Sequence, residues 1–516
     1  MRNRIDSTLA WLLIGVAVFH FWTMPRMYYS GDNYAARAET AGWLMTGKLG
    51  LPYSERAELG GLVEKRGQYL FENDAKQRLF SKYGFGYTLL YAIPLSAEKC
   101  WRGVVRWQDD FKSGIFFIVM FQILLCLISV AYIYWLAALY TEKKKVRALW
   151  VLAIVYGTFV WHYLRAPTLE VFQVPAFLCS YYHVLRFVRG GRAADGRFVF
   201  SWMPLLYSGL WLAYMLPLKL FYVVQIAVIG LYSLTAGEEK TPVLQRMLQN
   251  VLHRWGDFFL CLAAPCIVTG VLVLFTNWYR FGSVMETGYG QWMEQGKSFN
   301  QFSLKFLPEA FRGYFFSLGN ASAFVHFPVF AFALLAIPRF ARQWKWESIF
   351  ALAMFLSILL PMASFQAWTG EWCYGPRYLV LGLIPASLPF IQALEFLGEP
   401  GLRWPKKVAS AVAILILSWS FVMQFQVNSV DYFVHHRLAP FFGSFKQERI
   451  DKYIQSRVSV HRGYFCADVI AYRDRGEAFY PLTVLRQIVP PDKERLLVQI
   501  EASVQRLIQP NFLFAK

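Results

Sequence analysis

Charge is scarce in this chain, and its scarcity excludes a water-soluble globule of this size. Only 16% of the 516 residues are Asp, Glu, Lys or Arg, against 56% hydrophobic and 18% aromatic, too few charges to clothe a soluble surface. Acidic residues are the scarcer sign, 33 against 52 basic, for a net charge of +19. The basic residues form no long run and no aromatic-interleaved face, which argues against nucleic acid as the partner. Strand and helix signals do not alternate and no Gly-rich loop follows a strand, so no sugar-nucleotide fold is expected. No internal repeat is visible, which weakens an inverted-repeat transporter. Of the seven cysteines, Cys126, Cys179, Cys261 and Cys266 lie in apolar stretches, where they serve as small hydrophobes. Cys100, Cys373 and Cys466 permit at most one disulfide, and their spacing matches no metal site.

What the chain has instead is apolar length. Stretches of about 17 to 25 residues mark membrane spans, near 8–26, 114–140, 147–165, 169–188, 200–215, 218–235, 258–277, 322–338, 348–367, 378–397 and 408–427. The expected fold class is therefore all-α, a polytopic membrane protein of about eleven transmembrane helices. Arg4 before the first stretch has the asymmetry of a signal peptide, but Thr23, Met24 and Pro25 offer no small-x-small cleavage site, so an uncleaved span is expected. Basic groups punctuate alternate ends of the spans: Arg2 and Arg4; Lys143, Lys144, Lys145 and Arg147; Arg186, Arg189, Arg192 and Arg197; Lys240, Arg246 and Arg254; Arg339, Arg342 and Lys345; Arg403, Lys406 and Lys407. By the positive-inside rule these ends are cytoplasmic, as is the N-terminus.

All six groups fall on one side only if 27–113 does not cross. Within it Gly84 to Leu95 is apolar but only some twelve residues long, suited to a re-entrant or interfacial segment. The expected organisation is a membrane body over 1–427, with a large first external loop at 27–113 carrying juxtamembrane helices, a second external loop at 278–321, and a small extracytoplasmic tail over 428–516. In the tail, Leu496, Leu497, Ile500, Val504 and Ile508 have helical spacing.

Candidate functional residues collect at the outer ends of the spans. Asp32 follows the first span and Glu39 lies seven residues on, on the same face of a helix; Asp32 reads either as a helix cap or as a carboxylate facing a lipid-borne substrate. Lys82 precedes Gly84 and Gly86 and suits a phosphate in the headgroup layer or plain interfacial anchoring. Glu170 opens an otherwise apolar stretch, where it complements the helix dipole or does chemistry. Lys219, after Pro217, either snorkels or binds an anionic headgroup. Two longer motifs are Arg280-Phe281-Gly282-Ser283 and Tyr374-Gly375-Pro376-Arg377-Tyr378-Leu379.

At these residues the sequence resembles the GT-C superfamily of membrane glycosyltransferases, which use polyprenyl-phosphate sugars. It is most similar to bacterial members related to protein O-mannosyltransferases and the lipid A aminoarabinose transferase. The resemblance runs through most of the membrane body. Asp32, Lys82 and Glu170 stand where that family keeps an acidic motif after the first span, a juxtamembrane Lys and a second carboxylate. Two departures are visible: Asp32-Asn33 replaces the usual Asp-Glu pair, and Tyr83-Gly84 replaces prolines after the Lys. The resemblance implies a multi-pass protein of the bacterial inner membrane with its active site outside. It implies a polyprenyl-phosphate sugar as donor, a glycan, lipid or protein as acceptor, and catalytic roles for Asp32 and Glu170.

The chemistry fits the residues on its own terms. A polyprenyl phosphate leaves well when cations stabilise its charge, and Lys82, Arg280 and Arg377 are available, with Glu39, Tyr374 and Lys219 as further substrate-binding candidates. The acceptor hydroxyl needs a base, for which Asp32 serves, while Glu170 orients the acceptor or a divalent metal ion. A transporter for lipid-linked sugars and a non-catalytic scaffold are the competing readings.

Overall fold

The computed structural model describes residues 5–23, 31–55, 70–103, 114–165, 168–190, 200–237, 241–288, 302–317, 321–366, 368, 375–397 and 404–429. Each of the eleven apolar stretches is helical over most of its length. By length and composition, three described helices suffice to cross a membrane: Phe116–Ala138, Val243–Phe281 and Lys345–Ala363. The pair Arg377–Ala386 and Phe390–Leu397, bent by 54°, makes a fourth if it is one broken span. Ser7–Phe21, Leu220–Ser233 and Lys407–Val422 are apolar but shorter. The expected tail helix near 491–509 lies outside the described residues, as do Cys373 and Cys466.

The described residues form two compact units. The first takes in 31–139 and 168–288, the second 6–23, 140–165 and the residues from 302 onward. In the first unit, helix Glu170–Gly190 is buried without a break from Glu170 to Leu185. A helix buried all round has no lipid-facing stripe to keep apolar, so it tolerates Gln173, Ser180 and His183. Helix Ala264–Phe281 is the opposite case, with Ile267, Val268, Val271, Leu272 and Phe275 exposed, an apolar belt on one of the helices long and apolar enough to cross a membrane. Between the two, helix Trp202–Met215 approaches through small residues: Ser208 Oγ sits 3.0 Å from Ser180 Oγ, and a Cβ on Gly209 would meet the Cys261 carbonyl oxygen at 1.9 Å.

Three features depart from the expectations. The span expected at 258–277 belongs to a helix that starts at Val243 and runs through a π-helical turn at Phe259–Ala263, so Arg246 and Arg254 lie on helix rather than in a loop. Asn250 Nδ2 reaches the Leu234 and Ala236 carbonyls at 2.8 and 2.7 Å and satisfies the open end of the preceding helix.

The apolar segment at Gly84 to Leu95 forms the first part of an 18-residue helix, Phe85–Arg102. Polar Glu98, Lys99 and Arg102 complete it, and Gly103 at φ +75° ends it by donating to the Lys99 carbonyl. Hydropathy alone stops where the polar residues begin, whereas the helix does not.

The chain is also not all-α. Strands β1 (Leu51–Pro52), β2 (Leu70–Asn73) and β3 (Arg78–Ser81) form an antiparallel sheet in the order β1-β3-β2. All four residues of the central strand β3 are buried, so it shows no polar face to alternate with an apolar one. Pro52 sits in an edge strand, where its missing N–H costs no ladder bond.

The second unit is held by contacts across long sequence separations. Phe159 N donates to the His326 carbonyl at 2.9 Å, Ser420 Oγ to the Gly157 carbonyl at 2.6 Å, and Thr141 Oγ1 to Glu395 Oε1 at 2.5 Å. Trp161 stacks on Phe421 with ring centroids 6.2 Å apart.

Candidate functional site

The expected site residues whose side chains are described in the first unit fall into two groups, Glu39 and Arg280 around the Lys82 segment and Lys219 with Glu170, and a backbone contact joins the Lys82 and Lys219 segments. Helix Gly31–Thr46 starts the assembly. Its Ala35, Ala36, Ala38 and Ala41 are fully buried, and a Cβ on Gly42 would meet the Gly50 carbonyl oxygen at 2.6 Å, so small residues let it lie close against β1. Asp32 occupies the first turn of this helix, where a carboxylate complements the dipole; its side chain lies outside the described residues. Seven positions on, Glu39 is fully buried.

Glu39 Oε2 accepts from Ser81 N at 2.9 Å and from Arg280 Nη2 at 2.8 Å. Arg280 Nη1 donates to the Tyr83 carbonyl at 3.0 Å, and Nη2 also donates to the Ser81 carbonyl. Two opposite charges thus hold the backbone on both sides of Lys82. Burial pushes the Glu39 carboxyl above its ordinary range, while Arg280 and the Ser81 amide pull the other way.

The Arg-Phe-Gly-Ser motif has a structural explanation at the same place. Gly282 at φ +82° caps the helix by donating to the Trp278 carbonyl at 2.9 Å, and Asn73 Nδ2 donates to the Arg280 carbonyl at 3.0 Å. Phe71 packs edge-on against Phe281 and Phe80 against Tyr279. The motif therefore ends the helix and docks that end onto the sheet.

Lys82 is itself buried, and its surroundings are tight. A Cβ on Gly288 would lie 2.2 Å from Lys82 Cα, so the Gly288 backbone lies directly against it. On the other side, a Cβ on Gly84 would meet the Pro217 carbonyl oxygen at 2.1 Å, and Gly86 N donates to that same oxygen at 2.9 Å. This contact ties the Lys82 segment to Pro217-Leu218-Lys219. Lys219 Nζ in turn stands 3.8 Å from Glu170 Oε1, the two side chains 15% and 2% exposed. Glu170 is thus a carboxylate partner for Lys219 that neither sequence reading, a snorkelling or a headgroup-binding cation, had named.

Sequence reasoning missed three neighbours of that pair. Gln173, one turn after Glu170, donates through Nε2 to Tyr87 Oη and accepts at Oε1 from Tyr222 Oη. A lone Gln within an apolar stretch was the available signal; the two tyrosines carry none, since aromatics in membrane helices are common.

Arg377 belongs to the second unit, in the turn Arg377–Leu379 that opens the bent helix pair. It is half-buried, its guanidinium 5.9 Å from the Tyr378 ring. Gly375, at φ +67°, packs against Phe159. Tyr374 lies outside the described residues. The described residues contain no group of three or more His, Cys, Asp or Glu able to hold a metal ion.

No protein-family model matches the chain, and neither does any curated protein. Among solved structures it is similar to ArnT from Cupriavidus metallidurans, in a structure bound to undecaprenyl phosphate. Identity is 13% and the TM-score 0.46, over 98% of this chain and 77% of that one.

Proposed function

We propose that this chain is a GT-C-like membrane glycosyltransferase that moves a sugar from a polyprenyl-phosphate donor to a cell-envelope glycan, lipid or protein acceptor on the outer face of the membrane. The observation that carries this reading is the joining of Lys82 to the Lys219–Glu170 pair through Gly84, Gly86 and Pro217. Two cations and a carboxylate, all largely withdrawn from water, are thereby carried on adjoining segments. That is the set a phosphate leaving group and a hydroxyl acceptor require.

The reaction is a single displacement with inversion. The acceptor oxygen forms a bond to the anomeric carbon as the bond from that carbon to the phosphate oxygen breaks. The bonding pair leaves with the phosphate, whose added charge Lys82 stabilises, and the acceptor proton passes to the Asp32 carboxylate. Glu170 orients the acceptor, held in place by Lys219.

The test is mass spectrometry of cell-envelope glycans and polyprenyl-linked sugars with and without the protein, followed by transfer assays on the detergent-solubilised enzyme. Loss of one glycan modification with accumulation of its polyprenyl-phosphate sugar is the expected result. Unchanged glycans and unchanged donor pools would remove the enzymatic reading.

A further inference from the structure

We propose that Glu39 and Arg280 are positioning residues whose task is to aim Lys82, and that they act on the donor through Lys82 alone. The proposal rests on the function proposed above for its kinetic arm and on geometry for its structural arm. Three hydrogen bonds carry it: Ser81 N to Glu39 Oε2, Arg280 Nη2 to the Ser81 carbonyl, and Arg280 Nη1 to the Tyr83 carbonyl. They hold the backbone of the two residues that flank Lys82, at the Ser81 N–H and carbonyl on one side and the Tyr83 carbonyl on the other. Bonds on both flanks fix the direction in which its Cα–Cβ bond leaves the backbone. The Gly288 backbone lies close against Lys82 and the Pro217 carbonyl close against Gly84, which further restricts the segment.

The guanidinium is suited to this because its planar fork spans two carbonyls at once, which a single ammonium does not. The pair is also unlike one built for stability: Glu39 Oε1 and Arg280 Nε have no hydrogen-bond partner among the described residues, and a buried ion pair with open valences recovers little of its desolvation cost. Both side chains are at most 1% exposed, with the pair's shared atoms already engaged. Their route to a substrate therefore runs through the residue they enclose.

The experiment is a double-mutant cycle on the full-length, detergent-solubilised protein. Arg280→Lys keeps the charge opposite Glu39 but gives up the two-carbonyl span; misplacing the amine should raise the KM for a polyprenyl-phosphate sugar about tenfold. Lys82→Ala removes the amine itself. Acting through Lys82 requires that Arg280→Lys add no further loss in the Lys82→Ala background, whereas additive losses would overturn the proposal.

Amide hydrogen exchange supplies the arm that needs no activity. Exchange at Ser81, whose N–H donates to Glu39 Oε2, should quicken in Glu39→Leu/Arg280→Met while β2 and the first turns of Phe85–Arg102 stay at wild-type rates. Unchanged exchange there overturns the clamp. Where Arg280→Lys does not fold, the same double variant takes its place in the cycle. If the wild-type protein consumes no polyprenyl-phosphate sugar, the function proposed above falls and the exchange result alone decides the clamp.

Discussion

Arg280 and Glu39, 241 residues apart in the chain, meet at 2.8 Å with neither side chain more than 1% exposed. Such a pair is costly to break from one side and cheap to replace whole. Its energetic consequences are separable from its effect on Lys82.

Glu39→Ala leaves a guanidinium buried without its counter-charge and is expected to destabilise the protein by about 3–5 kcal/mol. Glu39→Leu/Arg280→Met removes both charges and should recover most of that loss, while transfer stays impaired because the Ser81 and Tyr83 contacts are gone. Thermal unfolding in detergent, measured beside turnover, checks both halves. A double variant as unstable as Glu39→Ala would show that the hydrogen bonds, not the unpaired charge, dominate.

The pH dependence of stability has a definite sign. Burial raises the Glu39 carboxyl above its ordinary 4.5, so the folded protein holds that proton more tightly than the unfolded chain does. The resulting stabilisation is fully present below the unfolded value and is lost as pH rises through the folded one. Relative to Glu39→Gln, which does not titrate, the wild-type unfolding midpoint should therefore fall as pH rises above 4.5 and then level off. A difference that grows more favourable to the wild type with rising pH would reverse the assignment.

Gly84→Ala forces a methyl group to within 2.1 Å of the Pro217 carbonyl oxygen, and backbone on both sides prevents an easy shift. A loss of about 1–3 kcal/mol is expected, together with a fall in donor affinity as the Lys82 and Lys219 segments separate. Gly15→Ala, with no atom within 4 Å of its added Cβ, is the control. Equal midpoints for the two variants would mean that the Gly84 contact is looser than its geometry.

Asp32→Asn tests the base directly. Asp32 lies in the first turn of its helix, a place where Asn is tolerated, so expression and folding should be kept. A base supplies about 10² to 10⁴ in rate, and a loss of that size in sugar transfer is expected. Glu170→Gln is the companion: it takes the counter-charge from Lys219 and should lower both turnover and stability. Full activity in Asp32→Asn would return this residue to the structural reading.

The sequence by itself marked the apolar parts of the helices, because apolar run length is a local property that each stretch carries whatever its neighbours are; it did not mark the polar extensions that begin one helix at Val243 and end another at Arg102. It also picked out Lys82, Glu170, Lys219 and Arg280, since charges bordering apolar runs stand out in one dimension. It did not reveal β3, whose residues are all buried and so lack the alternation that marks a half-exposed strand. Nor did it show that Arg280 would reach Glu39, or that Pro217 would press on Gly84. Those contacts join residues more than a hundred positions apart through side-chain reach and backbone approach, neither of which has a period along the chain. Only the packed tertiary structure decided that Arg280, legible in the sequence as a cation bordering an apolar run, is bonded to Glu39 and to the Ser81 and Tyr83 carbonyls on either side of Lys82.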